Sequence, residues 1–208
     1  MCIFIIDQTT TSPYLIMPSF DQLTLDTPRM TMRPLCLDDA PAILRMRSKP
    51  EVMRYMTTAP WTDIAQAIAM VERDQVAVLK GDMVRLGMIR KSDGMFLGSC
   101  ILFHLDASCR RAEIGYDMDS SFWGQAYMHE ALVALLDYGF SEMNLNRIEA
   151  DIHPDNLGSA KTLERLGFIR EGYLRERWII EGAVSDSALF GLLRSDWLGR
   201  VPALRSPT

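Results

Sequence analysis

The stretch Glu113–Leu136, "EIGYDMDSSFWGQAYMHEALVALL", constrains this chain more than any other. It opens with the two-residue alternation of a strand and closes with apolar residues at three- and four-residue spacing, as in a helix. Between them, Ser120–Ala126 is a polar, glycine-containing joint that starts the helix without an acidic first turn. A helix start left bare offers unpaired N–H groups and partial positive charge, which together make an anion seat.

The flanking pattern builds a mixed sheet around that joint. "RMTMRPL" (Arg29–Leu35) alternates like a strand, with "LTL" just before it pairing or preceding it. Asp38 is placed to cap a helix with Pro41 in its first turn and Ile43, Leu44 and Met46 facing inward. "PEVMRYM" reads as a second short helix. A third runs from a Thr62 cap to about Leu79, with Ile64, Ile68 and Val71 inward and Gly81 as its stop. "VRLGMIR" and "MFLGSCILFHL" form a hairpin over Ser92-Asp93-Gly94, and "RAEIGYDMD" is the next strand. The helix Tyr127–Tyr138 presents Met128, Ala131, Leu132, Leu135 and Leu136 as one stripe. "RIEADIH" is a strand, and "NLGSAKTLERLGF" a helix capped by Asn156 and stopped at Gly167, with Leu163 able to touch Phe168. Two long strands, 169–180 and 184–193, close over Glu181-Gly182. The fold class is therefore mixed α/β with a largely antiparallel sheet.

Composition bounds the function. At 208 residues and 48% apolar side chains the chain reads as one domain over 21–198, with an irregular arm at 1–20 and a tail at 199–208. The net charge of −5 argues against nucleic acid or an anionic membrane as partner. The apolar run in "MCIFIID" is far too short to span a bilayer. Cys2, Cys36, Cys100 and Cys109 form no CxxC pair and read as free thiols in a reducing, cytoplasmic setting. His104, His129 and His153 lack metal-ligand spacing, and HExxH, GxxxxGK[ST] and GxSxG are absent, so metal, NTPase and serine-hydrolase readings are set aside. The fourteen methionines read as flexible core filling.

Two helix starts carry the chemistry. Small residues at Gly124 and Ala126 let a diphosphate approach the main chain, and "HPDNLGSAKTLERLGF" sets Asn156, Ser159 and Lys161 at the next helix start. With "MRPLCLDDAPAILRMRSKPEVMRYM", "NRIEADIHPDNLGSAKTLERLGFIREGYLRER" and "DSALFGLLRSDW", these stretches make the run from about Leu23 to Trp197 resemble the GNAT superfamily of acyl-CoA N-acyltransferases, in its RimJ/RimL branch. The resemblance implies a twisted, mostly antiparallel seven-stranded sheet, helices on both faces, and acetyl-CoA in a split between "AEIGY" and "RIEADIH".

It also implies roles. Trp123, Gly124, Gln125, Ala126, Tyr127 and Met128 match the Q/R-x-x-G-x-G/A loop whose amides hold the CoA diphosphate. Ala126 stands where glycine is usual, and its methyl is tolerated without strain only at negative φ. Glu113 matches a general base and Ser159 a hydroxyl acid toward the sulfur; Asn156 would bond the pantetheine arm and a main-chain N–H near Met118 would meet the oxyanion. RimL-like enzymes are similar in using a glutamate where Trp178 stands here. Glu176, two residues earlier on the same face of an even strand, is the substitute. The implied activity is acetyl transfer to a primary amine, the α-amino group of a protein or peptide, with a small amine as alternative acceptor; a homodimer is compatible. Trp61 and its loop would shape the acceptor side. A catalytically weak acyl-CoA sensor is the rival.

Overall fold

Gly81, Gly94, Gly167 and Gly182 each adopt positive φ and end or turn the element that the sequence assigns to them. The computed structural model describes residues 19–180 and 182–200. The expected arm and tail therefore lie outside the described residues except for Ser19, Phe20, Gly199 and Arg200, as do Cys2 and Glu181.

The strands are β1 (Leu25–Asp26), β2 (Met30–Pro34), β3 (Val84–Arg90), β4 (Phe96–Asp106), β5 (Arg111–Met118), β6 (Arg147–Ile152), β7 (Ile169–Ile180) and β8 (Ala183–Leu193). The helices are α1 (Ala40–Arg47), α2 (Pro50–Met53), α3 (Ile64–Lys80), α4 (Tyr127–Ser141), α5 (Leu157–Leu166) and α6 (Arg194–Leu198). One sheet in the order β1-β2-β3-β4-β5-β6-β8-β7 contains all eight strands, one more than expected, because Leu25–Asp26 pairs with β2. Every pairing is antiparallel except β5 with β6.

That parallel pairing positions everything that follows. It covers only Arg111–Arg147, Ala112–Ile148 and Glu113–Glu149. β5 continues to Met118 and β6 to Ile152, so beyond Glu113 the two strands part and their inner main-chain groups face a split.

Helices cover both faces. The α4 stripe of Met128, Ala131, Leu132, Leu135 and Leu136 is buried as expected, against Leu102, Ala112, Ile114 and Ile148. On the other face Leu35, Ile43, Met46, Met53, Met70, Val71 and Phe96 form a second cluster. Seven methionines (Met30, Met32, Met46, Met53, Met70, Met88 and Met128) sit in these two cores, consistent with gap filling by an unbranched side chain.

Two caps differ from expectation, each by one residue. Asp63, not Thr62, caps α3: its carboxylate accepts from Ala65 N–H at 2.9 Å, while Gln66 Oε1 accepts from the main chain of Asp63 at 3.1 Å. A short 3-10 turn at Leu37–Asp39 precedes α1, and Asp39, not Asp38, turns inward to accept from both Arg33 Nη atoms at 2.8 and 2.9 Å. The buried stripe of α3 is also rotated, to Ala67, Met70, Val71, Asp74 and Val78, with Ile64 exposed. The reason is Asp74, which is drawn under the sheet by Arg85 at 2.9 Å.

Candidate active site

Met118 ends β5 opposite Gly98 of β4. The next residue, Asp119, donates its N–H to Leu97 O at 2.9 Å. Because successive residues of a strand aim their main-chain groups to opposite sides, the N–H and C=O of Met118 face away from β4, into the split. The carbonyl is taken by the indole of Trp123, whose Nε1 donates to it at 2.9 Å.

The joint then turns tightly. Asp119 accepts from Ser121 N–H at 2.9 Å and is gripped by Lys49 Nζ at 2.6 Å, and Gln125 Nε2 donates to Ser121 O at 3.1 Å. Gly124 and Ala126 both lie in the left-handed region, at φ +74° and +61°. The condition for a relaxed alanine is therefore not met, and Ala126 holds a conformation that L-residues disfavour by about 1–2 kcal/mol. Within the described residues, the N–H groups of Gly124 through Met128 meet no acceptor, and α4 has no side-chain cap. Five main-chain donors beside the split are thus left for an anion.

One expectation about this helix is corrected. Its first turn does hold an acid, Glu130, but the carboxylate points back to the β1–β2 turn and is bound by Arg29. An unpaired acid there would repel an anion; a neutralised one does not.

Across the split, Asn156 caps α5 by accepting from Ser159 N–H at 3.1 Å through Oδ1. Its capping role is real, and only the Nδ2 end is left to meet a ligand. Ser159 Oγ has no partner among the described residues, while its carbonyl accepts from Tyr116 Oη at 3.3 Å. Burial pushes the Tyr116 phenol up to about 12, so it remains a neutral donor at physiological pH. Tyr116 was missed by sequence reasoning, although its alternation with Ile114 and Met118 places it on the α4–α5 face.

Glu113 stands where the split begins, and its Oε1 lies 3.0 Å from His104 Nδ1. His104 reaches it through an irregularity in β4 between Phe103 and Asp106, with φ at +49°. Glu149, directly opposite Glu113, is a second carboxylate that the sequence reading passed over. Burial pushes its carboxyl up, but Arg147 and Arg111, each at 2.7 Å, hold it below the usual range. Glu149 is therefore a fixed charge and a poor base, whereas Glu113 has no arginine or lysine bound to its carboxylate among the described residues.

Glu176 does not lie where an even strand would put it. β7 bulges between Leu174 and Trp178, leaving Arg175, Glu176 and Arg177 opposite the single residue Asp186. Glu176 sits in that bulge at φ +54°, with its N–H bound by Asp186 at 2.7 Å. Trp178 turns its Nε1 to Ser187 Oγ at 3.0 Å. The periodicity that made Glu176 a substitute base is thus broken.

Contacts from α2 and the residues after it reach both sides of the opening. Glu51 accepts from Ser120 Oγ at 2.8 Å, and Tyr55 Oη donates to Asp155 O at 3.0 Å with its ring against His153. Trp61, expected at the acceptor side, is instead buried under the Arg47 guanidinium; residues 57–60 of its loop are exposed. Behind β5, Asp117 is buried and accepts from Arg47 Nε at 2.9 Å and Ser99 Oγ at 2.7 Å. Burial raises its carboxyl, but Arg47 and Arg85 outweigh this and leave it below the usual range. Among the described residues no group of His, Cys, Asp and Glu side chains could hold a metal ion.

A split parallel pair beside a row of open amides is matched in sequence too: the family profile "Acetyltransferase (GNAT) domain" covers residues 29–169. The chain belongs to the GNAT acetyltransferases. A GNAT relative from Bacillus licheniformis, "Uncharacterized N-acetyltransferase p20", is 39% identical over 176 residues, covering 85% of this chain and 99% of that protein. "[Ribosomal protein uS5]-alanine N-acetyltransferase" of Escherichia coli is 36% identical over 84 residues, 40% of this chain and 43% of that one. The crystal structure of spermidine N-acetyltransferase from Vibrio cholerae in complex with CoA and spermine shares the GNAT fold with a TM-score of 0.71. It is 21% identical and covers 82% of this chain and 98% of that one. This GNAT chain is accordingly an N-acetyltransferase, and none of its described helices is long and apolar enough to cross a membrane.

Proposed function

We propose that the chain transfers an acetyl group from acetyl-CoA to the α-amino group of a protein or peptide in the cytoplasm, by direct attack in a ternary complex. The observation that carries this reading is the set of open N–H groups at Gly124–Met128 beside the β5–β6 split. Acetyl-CoA, when bound, supplies a thioester whose carbonyl carbon accepts the amine. Gly124, Gln125, Ala126, Tyr127 and Met128 bind its diphosphate, with Trp123 at the start of the loop and the Nδ2 of Asn156 on the pantetheine arm.

The amine is cationic at neutral pH, so it must lose a proton before it attacks. Glu113 takes that proton. As the C–N bond forms and the C–S bond breaks, negative charge grows first on the carbonyl oxygen and then on sulfur. The Met118 N–H faces the first charge; the Ser159 hydroxyl donates its proton to the second and is restored by the second proton that the acylated nitrogen sheds, while Glu113 returns its proton to solvent. Glu176 takes no part in this scheme.

The uS5-alanine acetyltransferase among the relatives supports the protein or peptide acceptor. A second reading has a small cationic amine as acceptor, favoured by the exposed carboxylate of Asp155 beside His153. Thiol release from acetyl-CoA, measured with free-N-terminal peptides, ribosomal proteins and polyamines, separates the two. Acceleration by peptides supports the first reading; acceleration by polyamines alone supports the second. If CoA binds and no amine accelerates release, the chain is an acyl-CoA sensor.

A further inference from the structure

Arg29 lies in the turn between β1 and β2, about a hundred residues before the anion loop in sequence, yet it touches that loop and the first turn of α4 at three residues. Its Nη1 donates to the carbonyl of Gln125 at 3.0 Å. Its guanidinium lies over the ring of Tyr127, 4.2 Å from the centroid. Its own main-chain N–H and its Nε donate to the two oxygens of Glu130 at 2.9 and 2.6 Å. The side chain is therefore anchored at its base and at its tip, as a planar fork allows and an ammonium does not.

The bond to Gln125 O has a specific consequence. In a trans peptide the C=O and the following N–H point in opposite directions. Fixing the Gln125 carbonyl toward Arg29 thus fixes the Ala126 N–H on the opposite side of that peptide, away from the guanidinium. The next residue needs such a hold, because Ala126 is at φ +61°, and an L-residue relaxes out of that region when nothing opposes it. Relaxation would turn the peptide planes on either side of Ala126 and scatter the donors.

We propose that Arg29 is the positioning residue of the anion loop: it pins the Gln125–Ala126 peptide in a strained conformation and neutralises Glu130, so that the amides converge on the CoA diphosphate. This rests on the reading that Gly124–Met128 hold that diphosphate. Arg29 itself faces the loop from behind and takes no part in acetyl transfer. The alanine at position 126 is then workable because the arginine supplies the constraint that a glycine there would make unnecessary.

The test is calorimetric titration of CoA into the wild-type chain and into Arg29→Ala, Arg29→Lys, Ala126→Gly and Arg29→Ala/Ala126→Gly, with thermal unfolding of each as a folding control. Arg29→Ala is expected to raise the Kd for CoA at least tenfold, and Arg29→Lys to recover less than threefold of that loss. The double variant should recover at least threefold of that loss, since glycine adopts the required φ freely while Glu130 stays unneutralised. Wild-type affinity in Arg29→Ala overturns the proposal. So does full recovery with lysine, which would mean that charge alone matters, or failure of Ala126→Gly to rescue. If Arg29→Ala does not fold, the lysine variant alone decides: wild-type affinity there overturns the proposal and a tenfold loss supports it. A wild-type chain that binds no CoA sinks the underlying reading instead, and is seen before any variant is made.

Discussion

Tyr116 donates its phenolic hydrogen to the carbonyl of Ser159 across 3.3 Å, joining β5 to the first turn of α5 over the split. This bond fixes the height of Ser159 while leaving its Oγ without a protein partner. Ser159→Ala should therefore lower kcat by about tenfold or more while the Kd for acetyl-CoA stays within twofold. Tyr116→Phe should cost about 1 kcal/mol of stability through the lost bond and lower kcat less than Ser159→Ala does. Stopped-flow thiol release and chemical unfolding check both; a Ser159→Ala chain that loses stability and keeps kcat would make Ser159 a helix-start residue only.

Glu113 and Glu149 are neighbours with different tasks, because Glu149 is already committed to Arg111 and Arg147. Glu113→Gln should cut kcat/KM roughly 100-fold near pH 7, the usual scale for a lost general base. The deficit should shrink as pH rises, because free amine then forms without help. Glu176→Gln should leave the rate within twofold, since the bulge takes it out of the strand's alternation and ties its N–H to Asp186. pH–rate profiles of the two variants decide; a profile for Glu113→Gln that overlays wild type would remove it from the scheme.

Ala126 at φ +61° stores strain that glycine would release. Ala126→Gly should raise unfolding stability by about 0.5–1 kcal/mol, the gain in the folded loop being partly offset by the freer unfolded chain. Urea unfolding measures this directly. A destabilised Ala126→Gly would show that the loop is relaxed in solution.

Asp117 is buried between Arg47, Arg85 and Ser99, and its folded pKa lies below the ordinary value. A depressed folded pKa means that the stability it lends is present above the unfolded value near 3.9 and is lost as pH falls through the lower folded value. Asp117→Asn leaves Arg47 buried without its counter-charge and should cost about 3 kcal/mol or more at pH 7. The difference from wild type should narrow below about pH 4. Paired urea titrations at pH 7 and pH 3 test this; a pH-independent difference would mean that packing, and not charge, is what the substitution removes.

Much of this architecture is legible locally. The stops at Gly81 and Gly167, the Asn156 cap and the α4 stripe each depend on residues within a few positions of one another, so sequence spacing reports them. The two-residue strand β1 and the one-residue shift of the α3 cap are the kind of detail that spacing blurs. What spacing could not report is register. The irregularities that place His104 against Glu113 and lift Glu176 out of alternation arise from the pairing of whole strands, and period-two reasoning assumes that they are absent. Nor could it show that Glu130 turns to Arg29 or that Tyr116 reaches Ser159, because those partners are distant in the chain.

Five main-chain N–H groups, those of Gly124–Met128, hold the diphosphate in this scheme, and amide NMR observes them one by one. In a nitrogen–proton correlation spectrum titrated with CoA, the resonances of Gly124, Gln125, Ala126, Tyr127 and Met128 should move downfield together. Pantetheine, which has the same arm and no diphosphate, should leave them nearly in place. Should CoA bind while these five signals stay still, or should pantetheine shift them equally, the diphosphate sits elsewhere and the account is wrong.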